Sequence, residues 1–327
     1  MLRAVFTTAL SLAAMGLPGV SQRALPLGPM LHAHNCYVEN GLWADRLDRA
    51  LGTGQSPIAI EQDLAWAPDR RVPVVSHEGD ELEGDEPSLE THFFDRMRPA
   101  LDRALKDGRR DRWPLYVLHL DFKTNEPEHH AAVWALLGKY ARYLTTAPRT
   151  AGGSIPQPFI AGPLLVITEN GDGQAKAFHD DVAVGASLRI FGTVPSAVRA
   201  AANDREAQLE AMFAAAPETL IPSPATNYRR WTNFSWAAVE RGGQARAGAW
   251  TAADAARLAA IVSRARAMGV WTRFYTLNGH AAEDSRGWTA SYNFGSLDAV
   301  KTRWRAARAA GVTFIATDQY EDYARTR

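Results

Sequence analysis

Four short stretches place side chains capable of acid, base or ligand chemistry at intervals along the first part of the chain. They are "HAHN" (His32, His34, Asn35), "IEQD" (Glu61, Asp63), "VVSHE" (His77, Glu78) and "LHLDFKT" (His119, Asp121, Lys123). Each lies in or just after a short apolar run of the kind that forms a buried strand. Strand residues two apart share a face, so Glu61 and Asp63 can point into one mouth, as can Asp121 and Lys123. A hard divalent cation takes oxygen donors, and Asn35, Glu61, Asp63 and Asp121 would bind one while leaving room for water and a phosphate oxygen. Taken singly, each residue has a plainer use. A carboxylate at a strand end commonly caps the next helix. His77 or His32 alone reads as a hydrogen-bonded structural histidine, Lys123 as a partner for Asp121 or Glu61, and His119 as support for the site. Polar groups ending four consecutive strand candidates argue for a shared site.

The elements that would position these groups alternate. In "TAADAARLAAIVSRARAMGVWTRFYTLN", Thr251 caps a helix with Asp254 three residues on, Leu258, Ile261 and Val262 share a face, and Gly269 ends the helix before a β-rich run over Val270 to Thr276. In "SLDAVKTRWRAARAAGVTFIATD", Ser296 caps, Val300, Trp304 and Ala307 share a face, Gly311 stops the helix and Val312 to Thr317 reads as a buried strand. Further strand candidates are Leu31 to Asn35, Ile58 to Leu64, Val72 to Ser76, Leu115 to Asp121, Pro163 to Thr168 and Leu188 to Phe191, with Thr219 to Ile221 competing with the last. Such alternation without a linker or repeat predicts one α/β domain, a (β/α)8 TIM barrel, with a distorted variant open. The segment from Thr146 to Pro158 reads as a loop. Catalytic groups of such barrels stand at the C-terminal ends of strands, where these motifs fall.

The 36 basic and 36 acidic side chains cancel. No bulk field therefore draws the chain to nucleic acid or to an anionic membrane surface, and at most peripheral membrane contact is expected. Residues 1–21, with Arg3 ahead of an apolar stretch from Ala4 to Leu17 and small residues at the exit, read as a cleaved export signal, leaving 22–327 as a single domain expected to be monomeric and exported. Cys36 is the single cysteine, which rules out an internal disulfide and leaves a small buried hydrophobe as its role.

On "HAHN", "IEQD", "VVSHE" and "LHLDFKT", in that order, the chain resembles the superfamily of phosphatidylinositol-specific phospholipase C and glycerophosphodiester phosphodiesterase barrels. It looks most like the AIM6-like bacterial and fungal branch whose chains begin "HSHNDY". "LDFKT" is also similar to the sphingomyelinase D-like toxins, and "GVTFIATDQ" looks like the superfamily's closing strand. The resemblance implies a phosphoric diester hydrolase or lyase acting on a phospholipid or glycerophosphodiester-type substrate with one divalent cation, Mg²⁺ or Ca²⁺. It implies His34 and His77 as the two catalytic histidines, Asn35, Glu61, Asp63 and Asp121 as metal ligands, and Lys123 on the phosphate. No arginine follows the first histidine, as it does in the glycerophosphodiesterases, and Cys36 stands where the branch has aspartate.

Such a set suits the reaction. Splitting a phosphodiester builds negative charge on the non-bridging oxygens, which a cation and Lys123 would stabilise. Two histidines on opposite sides of phosphorus could serve as entering base or nucleophile and as leaving-group acid. Trp271, Tyr275 and Asn278 are expected to line the mouth. A rival reading, a metal-dependent amidohydrolase, rests on His-x-His in the first strand and Asp318 after the last, but it needs histidines ending the fifth and sixth strands, and none is there. A binding protein on a catalytically retired barrel is the third reading, against which no acid, base or ligand position is missing.

Overall fold

The computed structural model describes residues 25, 27–38, 43–79, 81–199, 204–275, 277–281 and 292–326. The export-signal reading, at 1–21, falls outside them, as does Thr276. In chain order the strands are β1 (Met30–Ala33), β2 (Ile58–Ala67), β3 (Val72–Val75), β4 (Tyr116–Phe122), β5 (Ala147–Pro148), β6 (Leu164–Thr168), β7 (Ser187–Leu188), β8 (Gly192–Thr193), β9 (Arg229–Ser235), β10 (Trp271–Tyr275) and β11 (Phe314–Thr317). The helices are α1 (Arg46–Gly52), α2 (Asp95–Asp107), α3 (Pro127–Lys139), α4 (Arg205–Ala214), α5 (Pro217–Leu220), α6 (Ala252–Ala267), α7 (Leu297–Ala310) and α8 (Tyr320–Arg325).

Parallel pairing runs β6-β4-β2-β1-β11-β10-β9-β8. The two ends of that series meet, because Phe191, just before β8, bridges Ile167 of β6 in parallel. Phe191 N donates to Val166 O at 3.1 Å and Thr168 N to Phe191 O at 2.9 Å. Eight parallel strands thus form a nearly closed barrel with helices around it, the (β/α)8 TIM barrel expected from the alternation.

Period-two alternation sorts the side chains. Leu31, Ala33, Ile58, Ile60, Leu118 and Leu120 join the core between sheet and helices. Met30, Ala59, Val117, Leu165, Trp231 and Phe314 belong to a second apolar cluster that fills the barrel floor. Two residues further along their strands, the inward positions turn polar: His32, Glu61, His119 and Arg273 are all buried. One more step reaches the mouth with His34, Asp63 and Asp121. Register fixes these neighbours, with Glu61 beside His119 and Asp63 beside Asp121.

The helix ends follow the sequence. Thr251 and Asp254 form a reciprocal capping box on α6, and Ser296 Oγ accepts from Ala299 N at the start of α7. Gly269 (φ 66°) and Gly311 (φ 85°) take the left-handed conformation that lets the chain turn from helix into strand without a Cβ clash.

The strand count of eight holds, but two members differ. Val72 to Ser76 is not a barrel strand, because β3 folds back antiparallel on the overlong β2, pairing Val75 with Leu64 and Val72 with Ala67. The sixth barrel strand is β9, whose sequence RRWTNFS lacks an apolar run. Its Trp231 joins the apolar floor, Asn233 faces inward onto Glu169 at 2.7 Å, and Arg230 reaches Gln157 O at 2.7 Å. Thr219 to Ile221 is the end of α5 rather than a strand. Of Leu188 to Phe191, Phe191 alone pairs with a barrel strand, bridging Ile167. Ser187–Leu188 pairs antiparallel with Ala147–Pro148, so the segment read as pure loop holds a short strand.

Candidate active site

At the junction of β1 and β11, His34 is held from two sides. Its Nδ1 lies 3.1 Å from Asp318 Oδ1 and its Nε2 3.6 Å from Glu61 Oε2. Burial alone would push the ring's pKa down, but the charges of Glu61 and Asp318 outweigh it and hold the pKa above the usual 6.5. Asp318 is fixed in turn. Arg46 Nη1 donates to it at 3.0 Å, Asn35 Nδ2 donates at 3.2 Å, and Asn278 Nδ2 donates to its other oxygen. Burial opposes its charge, yet His34, Arg46 and Asn278 keep its carboxyl below the ordinary range. Arg46 also donates to the carbonyls of His34 (3.3 Å) and Asn35 (2.9 Å). The chain turn after β1 is therefore clamped to the last strand by a buried guanidinium, a charge-assisted arrangement stronger than neutral pairing.

Glu61 is the hub one strand away. Arg273 Nη2 donates to its Oε1 at 2.6 Å, His119 Nδ1 stands 3.1 Å from the same oxygen, and Asn35 N donates to Oε2 at 3.0 Å. Burial works against its charge, but Arg273, then His34 and His119, keep it well below the usual carboxylate range. Arg273 continues through Asn233 (3.1 Å) to Glu169, whose Oε1 accepts from Asn233 at 2.7 Å.

Beside the hub, Lys123 Nζ bridges Asp63 (2.9 Å) and Asp121 (2.8 Å). Burial pushes the Asp63 carboxyl up to about 7 against the pull of Lys123, with the charges of Asp121 and Glu61 adding to the rise. Burial opposes the lysine's charge, but Asp63 and Asp121 raise its pKa above the usual value. Glu61, Asp63 and Asp121 each offer a carboxylate oxygen within 4.8 Å of the others. Asp63 and Asp121 share one ammonium between two charges. An all-oxygen donor set with excess negative charge fits a hard cation such as Mg²⁺ or Ca²⁺. A polar cavity of about 320 Å³ opens next to Asp121, lined in part by Glu169, Gln174, Thr193, Ser196 and Asn233.

The structure thus brings together His34, Glu61, Asp63, Asp121 and Lys123. Other expected residues stand differently. Asn35 adopts φ 49°, which asparagine tolerates, and its amide oxygen accepts from Tyr37 Oη at 2.8 Å. His77 follows the antiparallel β3 back to the rim. Its side chain is 53% exposed, with Nδ1 3.3 Å from Glu78. Trp271 does not line the mouth. It is the first residue of β10, at the opposite end of the barrel, and stacks on Phe159. Asn278 is wholly buried, braces Asp318 and accepts from Thr317 Oγ1 at 2.9 Å, so it acts as scaffold rather than lining. Tyr275 ends β10 at the mouth, over Arg273, with its hydroxyl pushed up to about 12 by burial.

Arg46, Glu169, Asn233 and Arg273 were not anticipated. Asn233 and Arg273 sit at inward strand positions, where the period of two was the available signal. Arg46 opens a helix and nothing in the sequence marks it. The lone cysteine is buried as expected, with burial pushing its thiol up to about 12. Among the described residues, no helix is long and apolar enough to cross a membrane.

No family model matches the chain, and no curated protein matches it. Among solved structures it is similar to a glycerophosphoryl diester phosphodiesterase from Parabacteroides distasonis, at 13% identity and a TM-score of 0.42, covering 94% of this chain and 88% of that one. It is also similar to a triple mutant of Plasmodium falciparum HPPK-DHPS, at 10% identity and a TM-score of 0.43, over 90% of this chain and 45% of that one. A Xanthomonas albilineans dihydropteroate synthase shows 12% identity and a TM-score of 0.35 over 92% and 91%. At such values the function must be argued from the site itself.

Proposed function

We propose that the chain is a metal-dependent phosphodiesterase, a phosphoric diester hydrolase or cyclising lyase of the phospholipase C-like type, acting on a phospholipid or glycerophosphodiester-type substrate. The observation that carries this reading is the placement of His34, fixed by Asp318, beside three convergent carboxylates and Lys123 at one barrel mouth. Glu61, Asp63 and Asp121 would hold the cation, Mg²⁺ or Ca²⁺, which when bound supplies charge stabilisation to the non-bridging phosphate oxygens. Lys123 would turn from its carboxylates to a second non-bridging oxygen, adding a point charge where negative charge develops. His34, with Nδ1 on Asp318, would turn Nε2, now 3.6 Å from Glu61 Oε2, to the phosphorus as entering nucleophile or base. His77, on the exposed rim, would protonate the leaving oxygen. Asn35 would join the ligand set through the second lone pair of its amide oxygen, the first accepting from Tyr37. The polar cavity by Asp121 suits a hydroxylated or amine-bearing headgroup better than an acyl chain.

The same reading keeps the AIM6-like branch as the nearest kin, export after cleavage near residue 21, and a monomer with at most peripheral membrane contact. No observation favours the amidohydrolase reading, since the fifth and sixth barrel strands, β8 and β9, end in Thr193 and Ser235 rather than in histidine. The test is a panel of bis(p-nitrophenyl) phosphate, glycerophosphodiesters, phosphatidylinositol and sphingomyelin, each with EDTA and with Mg²⁺ or Ca²⁺ added back. Turnover of a diester that EDTA abolishes and the cation restores is expected. Hydrolysis of amides or lactones with every diester inert would replace this reading by the amidohydrolase one.

A further inference from the structure

Below the mouth lies a second group of ligand-type side chains that the proposed chemistry leaves unused. His32 is fully buried, and among the described residues neither ring nitrogen has a hydrogen-bond partner. A neutral imidazole carries one donor and one acceptor, and buried polar groups of this kind are normally answered. His119, also fully buried, stands with its ring 5.1 Å from that of His32 at an angle of 61°. His32, Glu61 and His119 each offer a ligand atom within 4.8 Å of the others. Phe314 packs edge-on to His32 and Trp231 edge-on to His119, with ring centroids 6.0 and 5.0 Å apart, and the Trp231 indole N–H is committed to the carbonyls of Thr168 and Phe191.

We propose that His32, His119 and Glu61 form a second cation site, for a borderline metal of the Zn²⁺ class. Two imidazole nitrogens and one carboxylate select such an ion over Mg²⁺ or Ca²⁺, which prefer the all-oxygen set above. His119 is already arranged as a ligand with an outer partner. Its Nδ1 faces Glu61 at 3.1 Å, while its Nε2 faces Glu169 at 3.6 Å, the carboxylate–imidazole arrangement that orients metal-binding histidines. Arg273, 2.6 Å from Glu61 Oε1, shares that carboxylate and limits the affinity. Glu61 then links the two sites, with nitrogen donors on one side and oxygen donors on the other.

The proposal concerns binding and stands whether or not the protein turns over a phosphodiester. Protein stripped with EDTA is titrated with Co²⁺, a spectroscopic probe for Zn²⁺, in excess Mg²⁺. One equivalent with visible d–d absorption from nitrogen ligation is expected. His32→Asn and His119→Asn should each weaken Co²⁺ binding at least tenfold, whereas Asp121→Asn, which damages only the oxygen set, should keep it. Should the histidine variants fail to fold, the wild type still decides, because Zn²⁺ must shift the ring ¹⁵N resonances of His32 and His119. Co²⁺ binding unchanged in His32→Asn, or ring resonances unmoved by Zn²⁺, overturns the site.

Discussion

The seam between β1 and β11 and the hairpin of β2 and β3 each deliver one histidine to the mouth, and they do so in opposite ways. At the seam, His34 meets a carboxylate at 3.1 Å, and that carboxylate is held by Arg46, Asn35 and Asn278. On the hairpin side His77 is half exposed with a neighbour in sequence, Glu78, at 3.3 Å. The difference follows from topology. A parallel strand inside a closed barrel ends among the ends of its neighbours, so its last side chains find partners from distant parts of the chain. An antiparallel excursion returns along its own strand and ends at the rim. Preorganised charge at the seam would stabilise a transition state without reorganisation, while the hairpin offers a half-exposed group at the rim.

If that contrast is right, seam variants should damage fold and activity together, and hairpin variants activity alone. The largest effect is expected for Glu61→Gln. It takes the 2.6 Å carboxylate partner from buried Arg273, leaving Glu169 at 4.0 Å, which costs about 3–5 kcal/mol of stability, and it removes a proposed metal ligand and a neighbour of His34. Denaturant unfolding and metal analysis should show both losses, whereas Asp121→Asn, half-exposed at the mouth, should lose the cation with little change in stability. Equal stability of the two variants would break the seam account. Asp318→Asn comes next. It should lower kcat/KM about 100-fold on any diester, and it should move the acidic limb of the pH profile downward, because Asp318 helps raise the His34 pKa.

The smallest effect belongs to the hairpin's footing. Trp66 of β2 donates its N–H to Thr124 Oγ1 at 2.9 Å, and its ring stacks at 5.8 Å on His129, whose pKa burial lowers to about 4. The unfolded imidazole titrates near 6.5, so between 6.5 and about 4 the unfolded chain binds the proton first. The stability from a neutral His129 is therefore complete above pH 6.5 and is lost as pH falls through about 4. The loss is about 3 kcal/mol. His129→Gln should flatten the curve of melting temperature against pH over this window, and an unchanged curve would remove His129 from the account.

The legible part of the molecule is the part where chemistry follows an apolar run. Glu61, Asp63, Asp121 and Lys123 could be grouped from spacing alone, because period-two alternation on parallel strands puts them on one inner face. The capping box at Thr251 and the glycine stops at Gly269 and Gly311 were equally plain, being local. β9 was not legible, since an inward face built from Trp231 and Asn233 beside two arginines does not look like a buried strand. Val72 to Ser76 misled for the opposite reason. A valine-rich run carries no mark that distinguishes an antiparallel return from a new barrel strand. Trp271 was expected at the mouth although it opens its strand, and the C-terminal-end rule puts a strand's first residue at the opposite end of the barrel. Arg46 and Arg273 act across more than two hundred residues, Arg46 on Asp318 and Arg273 on Glu61, and no local pattern announces such pairs.

The most direct test of the seam-and-hairpin account compares His34→Ala with His77→Ala, each assayed on an alkyl diester and on an activated aryl diester. An aryl oxide such as p-nitrophenolate departs without a proton, so it needs no acid. The account predicts that His34→Ala loses both activities alike, by about 1,000-fold or more, while His77→Ala loses the alkyl activity and keeps most of the aryl one. Full aryl activity in His34→Ala with none in His77→Ala would contradict it.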